Sequence, residues 1–175
     1  DVAAMLPRQS PGAGRMSRVG GQGGRPLVVV DYAHTPDALE KALQALQPLA
    51  ARRGGALWVL IGCGGDRDPG KRPLMGAVAE REARHAVLTS DNPRGEDPAT
   101  ILAQMARGLS DPAAARTVLD RAEAIALAVR EAAPADVVLI AGKGHEDYQE
   151  VQGVKHPFSD LQQATLALAS RKVNA

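Results

Sequence analysis

Aromatic residues and cysteine are scarce in this chain of 175 residues. Phe, Trp and Tyr make up 2% of it, so the core has to be built from Leu, Val, Ile and Ala. Such a core suits helices packed on a parallel sheet. The one cysteine, Cys63, excludes an intrachain disulfide and fits a reducing compartment. It stands between two glycines without an evident base or metal partner, which predicts a small buried space-filler.

The sequence also has no excess of one charge and no long apolar run. Its formal net charge is +1, so it lacks the broad electrostatic footprint that nucleic acids or anionic membranes attract. No apolar stretch approaches the length that spans a bilayer, and the start lacks the basic-then-apolar layout of a signal peptide. The four histidines are scattered and do not make a metal site. We expect no nucleic-acid partner, no membrane insertion and no resident metal.

Short β-branched runs alternate regularly with amphipathic helical segments. Strands are predicted at residues 27–30, 57–61, 86–89, 116–119 and 137–140. Helices are predicted to follow the N-caps Thr35, Asp97, Asp120 and Ser159. Residues 148–151 and 154–156 flank Gln152-Gly153, which predicts a hairpin. The fold is therefore predicted to be α/β, a doubly wound, mostly parallel sheet flanked by helices, with a C-terminal hairpin.

Composition divides the chain into two unequal parts. Residues 1–25 are dominated by Gly, Ser, Pro and Arg and are interpreted as a linker or domain start, with room for a short edge strand around residues 15–19. Residues 26–175 are predicted to form one domain, large enough to bury a real core. We interpret the chain as a fragment of a longer protein.

Three predicted strands end in loops rich in glycine and charge. These loops cover residues 62–72, 91–94 and 142–149. Open parallel sheets bind ligands beyond the carboxyl ends of their strands, which predicts one composite site. In the second loop, Asp91 and Arg94 flank Asn92-Pro93, and a carboxylate beside a guanidinium suits an amino acid's ammonium and carboxylate.

The loop at residues 65–72 comes close to a phosphate-binding loop between a strand and a helix. Arg72 occupies the place of the Ser or Thr that would hold magnesium, and Asp66 and Asp68 would repel phosphate oxygens. A complete nucleotide phosphate site is therefore rejected. A tight turn with solvated charges remains an alternative, but the density of glycine and charge favours a role facing a ligand.

His34 and Asp31 follow the first predicted parallel strand. Asp31 could hydrogen-bond ribose hydroxyls, as acids at strand ends do in nucleotide folds, or it could be a turn-forming Asx residue. His34 could act at the site or be a structural hydrogen-bonding group. The loop at residues 142–147 has two glycines and no aliphatic anchor, which favours close approach to a ligand over a plain surface loop.

Four segments together resemble the C-terminal domain of the Mur ligases, of the MurE type, which adds the third residue to the UDP-muramoyl-dipeptide. The segments are residues 31–37, 62–68, 91–94 and 142–146. They stand in the family's order, and the resemblance covers the chain from Gly14 onward. It is specific because several motifs agree at once.

The resemblance implies a three-domain cytoplasmic enzyme of peptidoglycan synthesis. In that family ATP phosphorylates the acceptor's carboxylate, and the incoming amine attacks the acyl phosphate. The central domain holds the phosphate loop, the Mg²⁺ ligands and a carbamylated lysine, and the N-terminal domain binds the uridine nucleotide. Neither domain is present in this chain, so its expected partners are those domains, meso-diaminopimelate, ATP and UDP-muramoyl-dipeptide. The chain alone is expected to be inactive and to hold no catalytic residue.

The resemblance also assigns residues to the incoming amino acid. By motif position the diaminopimelate contacts are Arg67, Asn92, Arg94, Gly142 and Glu146, with Asp91 and Pro93 completing the turn. Asp31 and His34 lie where the family's third domain meets ATP. In the family the Asp-Asn-Pro-Arg motif marks enzymes that add meso-diaminopimelate, whereas lysine-adding relatives lack its arginine. Pro69, within the charged loop, departs from the pattern at a variable position.

Two rival interpretations stay open. One is a folylpolyglutamate-synthase-like ligase domain, which shares the architecture and the reaction; the loops at residues 91–94 and 142–146 argue against it. The other is a stand-alone nucleotide- or amino-acid-binding module without chemistry, since the fragment lacks every catalytic phosphate element.

Overall fold

A central six-stranded sheet organises the chain. The computed structural model describes residues 16–171. The eight strands are β1 Ser17–Gly20, β2 Leu27–Asp31, β3 Leu57–Ile61, β4 His85–Leu88, β5 Ala115–Thr117, β6 Val137–Ala141, β7 Tyr148–Val151 and β8 Val154–Pro157. The strand order in the sheet is β1-β2-β6-β3-β4-β5, and β7 and β8 form a separate antiparallel hairpin.

Five of the six strands of the sheet are parallel, and β1 alone pairs antiparallel, with β2. The doubly wound, mostly parallel fold with a C-terminal hairpin is thereby confirmed. Strand β1 falls where the sequence left room for a short edge strand, and its ladder with β2 makes residues 17–20 part of the sheet. Residues 1–15 of the predicted linker lie outside the described residues.

Five helices flank the sheet, and four of them begin at a predicted cap. They are α1 Pro36–Arg53, α2 Lys71–Glu82, α3 Pro98–Ala106, α4 Arg121–Glu131 and α5 Asp160–Ser170. The side chains of Thr35, Asp97, Asp120 and Ser159 each accept a hydrogen bond from a backbone amide in the first turn that follows. These bonds satisfy amides that would otherwise lack partners, so each predicted cap fixes a helix start.

Alternate residues of the buried strands face two separate layers of the core. Val29, Val59 and Ile61 pack under α1, α2 and α3 on one face, whereas Val28 and Leu60 pack under α4 and α5 on the other. Strands covered on both faces must be apolar throughout, which explains the continuous runs in the sequence. Because helices cover both faces, ligands can reach the strands at their ends.

No helix among residues 16–171 is both long and apolar enough to cross a membrane.

Candidate functional site

The carboxyl ends of β3, β4 and β6 open into one cleft of about 420 Å³. Its lining residues are Tyr32, His34, Gly62, Cys63, Gly64, Arg67, Asp68, Lys71, Arg72, Met75, Asp91, Asn92, Arg94, Gly142 and Glu146. The three charged loops predicted to converge therefore do converge. Of the residues assigned to diaminopimelate, all but Pro93 line this cleft. Pro93 faces a separate small recess beside α3.

The first two loops pack backbone against backbone. The Gly65 amide donates to the Asn92 carbonyl oxygen at 2.7 Å, and a Cβ on Gly65 would lie 1.8 Å from the Pro93 carbonyl oxygen. Only glycine fits such an approach. The loops after β3 and β4 therefore form one wall of the cleft.

Arg94 is held between this wall and the hairpin. Its backbone adopts the left-handed region, with φ of 51°, and it exchanges backbone hydrogen bonds with Glu150 and Gln152. The guanidinium donates from Nη1 to the Gly65 carbonyl oxygen at 3.0 Å, and its Nε lies 3.5 Å from Glu150 Oε1. The remaining donors of a fixed, planar guanidinium are available to a carboxylate in the cleft.

A buried polar cluster joins the loops after β4 and β6. Asn92 Nδ2 donates to Glu146 Oε1 at 3.1 Å, and Asn92 Oδ1 accepts from Lys143 Nζ at 2.9 Å and from the Glu150 amide at 2.9 Å. Lys143 Nζ also donates to Glu146 Oε1 at 3.0 Å. Its side chain is wholly buried. The local sequence did not single out Lys143, since a lysine between two glycines is also typical of a solvated loop.

Asp91 is a buried acid at the floor of the cleft. Burial raises the pKa of its carboxyl, while the positive charges of Arg121 and Lys143 oppose that rise. Its Oδ2 lies so close to Gly142 that a Cβ there would come within 2.7 Å, and Gly142 has φ of 117°. Gly142 therefore brings the backbone of this loop against the Asp91 carboxylate.

Behind Asp91, Arg121 ties the ends of two strands to α5. Its guanidinium donates to Asp160 Oδ1 and Oδ2 at 2.7 and 2.8 Å, and both side chains are fully buried. Its remaining donors bind the carbonyl oxygens of Ser90 and Ala141, which directly precede Asp91 and Gly142. Sequence reasoning missed this pair because Arg121 and Asp160 each look like an ordinary charge in a helix's first turn.

The loop that resembles a phosphate site is closed by Arg72. The Arg72 guanidinium is buried and donates to Glu96 at 2.7 and 3.0 Å, to Gln104 and to the Gly64 carbonyl oxygen. Arg72 therefore locks the loop against the segment after Arg94. The guanidinium of Arg72, by its hydrogen bonds, lowers the pKa of Glu96 to about 2. The alternative of a turn with solvated charges fails for Arg72, whereas Arg67 is exposed at the mouth of the cleft.

His34 lines the main cleft, and Asp31 lies beside it. Asp31 Oδ2 accepts from the Ala33 amide at 2.9 Å, an Asx turn, and Oδ1 accepts from the Met16 amide at 2.9 Å. The turn-forming alternative is thus present for Asp31. His34 Nδ1 donates to the Tyr32 carbonyl oxygen at 2.9 Å, which leaves Nε2 exposed. Asp31, His34, Tyr32 and Lys41 line a second, mostly apolar cleft of about 360 Å³ that adjoins the first.

Cys63 lies mostly buried between the main cleft and the core. Burial raises the pKa of its thiol to about 12, and the nearby charge of Asp91 adds to that rise. The thiolate needed for a nucleophile is therefore not formed near neutral pH. Within residues 16–171, no three His, Cys, Asp or Glu side chains are grouped so that they could hold a metal ion.

Comparison with known proteins gives a family and close relatives. The family model for the Mur ligase glutamate ligase domain matches residues 14–144. The UDP-N-acetylmuramoyl-L-alanyl-D-glutamate–2,6-diaminopimelate ligase of Ralstonia nicotianae is 61% identical over 175 residues, which are 100% of this chain and 34% of that protein. The chain thus spans about a third of the length of the curated relatives it matches.

Solved structures agree with this similarity. A structure of a UDP-N-acetylmuramoyl-L-alanyl-D-glutamate–2,6-diaminopimelate ligase superposes with a TM-score of 0.80 and 46% identity, over 89% of this chain and 31% of that one. A folylpolyglutamate synthase from Thermotoga maritima superposes with a TM-score of 0.57 and 17% identity, over 95% of this chain and 32% of that one. The second similarity shows a shared fold alone.

Proposed function

Because the chain belongs to the Mur ligase family and contains its glutamate ligase domain, we propose that it is the C-terminal domain of an ATP-dependent ligase that adds meso-diaminopimelate to UDP-N-acetylmuramoyl-L-alanyl-D-glutamate. The observation that carries this proposal is the single cleft that collects Arg67, Arg94, Asn92 and Glu146. This domain holds the incoming amino acid, and ATP supplies the phosphoryl group that activates the acceptor's carboxyl.

The cleft offers groups of both charges for a ligand with two ammonium and two carboxylate groups. Arg94 and Arg67 provide guanidinium donors for carboxylates. Glu146 has Oε1 engaged by Asn92 and Lys143, so its Oε2 is the oxygen that faces an ammonium, and Asp91 adds a second acid. Gly142 leaves space where any larger residue would meet Asp91.

Arg94 also explains why diaminopimelate would be chosen over lysine. Diaminopimelate differs from lysine by a second carboxylate, and a guanidinium fixed by Gly65 and Glu150 can pair with that group bidentately. Bound lysine would leave the guanidinium without this partner in a confined cleft. A site rejects an analogue in this way, because a desolvated donor left unpaired is costly.

The second cleft supports contact with ATP at its edge. Tyr32 and His34 form an exposed ring pair with centroids 4.6 Å apart, beside Lys41. Such a surface suits a nucleotide's ring system and a phosphate. Asp31 fits ribose less well than its position suggested, because both its oxygens already accept backbone amides. His34 is therefore the stronger ATP-side assignment of the two.

Triphosphate and Mg²⁺ are assigned mainly to a central domain outside this chain. In the phosphate-like loop, Arg72 is committed to Glu96 and Gly64, and no hydroxyl stands where one would hold magnesium. A ligase of this kind uses cytoplasmic nucleotides, which supports a cytoplasmic location. The rival folylpolyglutamate-type domain gains no specific support, since that similarity extends to the fold alone.

The test is a ligation assay with the full-length ligase that contains this chain. UDP-muramoyl-dipeptide, ATP and Mg²⁺ are held saturating while meso-diaminopimelate or lysine is varied. We expect the diaminopimelate product, with lysine used poorly. The 175-residue chain alone should show no magnesium-dependent ATP turnover above a boiled control, because catalysis needs phosphates held by loop backbone and metal. Equal use of both amino acids, or turnover by the chain alone, would contradict the proposal.

A further inference from the structure

Lys143 is a fully buried cation next to the proposed amino-acid cleft, although it does not line the cleft. Its side chain is 0% exposed, and its Nζ lies 2.9 Å from Asn92 Oδ1, 3.0 Å from Glu146 Oε1 and 4.0 Å from Asp91 Oδ1. Buried ion pairs of this kind seldom add net stability over an apolar side chain of the same volume. The placement of a lysine here therefore needs a reason other than the fold.

The contacts of Lys143 fix the direction of the Asn92 amide. Lys143 Nζ and the Glu150 amide are donors with nothing to accept, so Oδ1 of Asn92 must face them. The Nδ2 group must then face Glu146 and the cleft. Glu146 Oε1 accepts one of its two hydrogens, and the second is left for a ligand.

Lys143 also fixes the direction of Glu146. Its ammonium and the Asn92 amide converge on the same oxygen, Oε1. The other oxygen is left toward the cleft, where it can accept from a ligand's ammonium. A buried cation thus turns a donor and an acceptor toward the cleft at the same time.

The same cation balances the acids around it. The charged or titratable groups around Asp91 are Cys63 after β3, Arg121 on α4, Asp160 on α5, and Lys143 and Glu146 after β6. Arg121 is already paired with Asp160. Without Lys143, the Asp91 carboxyl, whose pKa burial already raises, would lose one of the two positive charges that oppose that rise.

We propose that Lys143 is a positioning residue for the incoming amino acid, orienting the Asn92 amide and the Glu146 carboxylate and placing a positive charge beside Asp91. This inference rests on the proposed function. It gives Lys143 an effect on diaminopimelate recognition without contact with the ligand.

The test compares Lys143→Met, Lys143→Gln and Lys143→Arg in the full-length ligase. With the neutral variants we expect the KM for diaminopimelate to rise about tenfold or more, with the KM for ATP unchanged. The acidic limb of kcat/KM for diaminopimelate should move to higher pH, because burial raises the pKa of Asp91 and one of the two charges opposing that rise is gone. Lys143→Arg keeps the charge and should restore the position of that limb.

Lys155→Met is the matched control. Both lysines lie over the Tyr148 ring, at 5.5 Å for Lys143 and 4.5 Å for Lys155, but Lys155 is exposed on the hairpin. Its loss should leave both KM values and the pH profile unchanged. Thermal unfolding of each variant shows whether an effect reflects lost fold.

Three outcomes would overturn the inference. The first is a folded neutral variant with a wild-type KM for diaminopimelate and a wild-type pH profile. The second is a Lys143→Arg variant that restores neither this KM nor the acidic limb, and the third is failure of all three variants to fold. If Lys143→Met alone does not fold, Lys143→Gln carries the comparison. Failure of the wild-type enzyme to use diaminopimelate would refute the proposed function instead, so the two are distinguished.

Discussion

Two clefts of similar size lie at opposite ends of the parallel sheet. The proposed amino-acid cleft, at the carboxyl ends of the strands, has about 420 Å³, and a second at the amino ends has about 430 Å³. The second is lined by Trp58, His85, Arg116, Glu131 and Asp136 among others. Volume therefore does not distinguish them, and charged residues line both.

The two clefts differ in how their polar groups are used. At the amino end, Trp58 Nε1 donates to Asp136 Oδ2 at 2.9 Å, and Arg116 binds Glu131 through two bonds of 2.6 Å. Each of these groups is turned toward a partner in the protein. At the carboxyl end, protein contacts use only part of the hydrogen-bonding capacity of Arg94 and Glu146, and under the proposed function the rest binds the amino acid.

Two of the bidentate arginine–carboxylate pairs, one at each end of the sheet, differ in burial. Arg116–Glu131 is largely exposed, whereas Arg121–Asp160 has side chains that are 0% exposed. The hydrogen-bond lengths are nearly equal, at 2.6 Å for the exposed pair and 2.7 and 2.8 Å for the buried pair. Burial should therefore decide how much each pair stabilises the fold, and mutation of one partner in each pair tests this expectation.

Asp160→Ala should have the largest effect. It would leave Arg121 as a buried cation without its carboxylate, and breaking a buried pair in this way typically costs about 3–5 kcal/mol. Urea unfolding of the 175-residue chain measures the change. A loss below about 1 kcal/mol would mean that Asp91 or water takes over the guanidinium, and the two pairs would then be equivalent after all.

Arg94→Ala should follow, with an effect on recognition rather than stability. Losing a confined charge-assisted pair costs on the order of 2–4 kcal/mol, or about thirty-fold to several hundred-fold in kcat/KM for diaminopimelate. The KM for ATP should move little, and lysine should gain relative to diaminopimelate. Ligation by wild type and variant, each amino acid varied at saturating ATP, measures this. Equal losses for both amino acids would assign Arg94 to the fold or to the shared amino-acid head.

Local sequence patterns predicted the strands and the helix starts well, because each strand or helix cap depends on residues close in sequence. The strand predicted at residues 57–61 has the observed bounds, and the caps Thr35 and Asp97 start the helices they were expected to start. The sequence also predicted that the three charged loops converge, since parallel strands bring their carboxyl ends to one edge of the sheet.

The polar framework behind the cleft could not be predicted in the same way. The partners are far apart in sequence. Arg72 pairs with Glu96 across 24 residues, Arg121 pairs with Asp160 across 39 residues, and Lys143 donates to Asn92 across 51 residues. A charged residue at a helix start or between glycines is usually solvated, so nothing local indicates burial. The pairs exist because crossover connections place distant loops side by side.

Glu131→Gln should have the smallest effect and completes the comparison. It removes the charge from an exposed pair whose bond lengths are close to those of the buried pair, and exposed pairs contribute little because water and salt screen them. Hydrogen bonds from Arg116 lower the pKa of Glu131, so any stabilisation by the pair is present above the ordinary pKa of a glutamate and is lost as the pH falls. At pH 7 we expect a Tm change within about 2 °C and unchanged kinetics for diaminopimelate. A Tm loss as large as that of Asp160→Ala would show that pair geometry, and not burial, sets the contribution of both pairs.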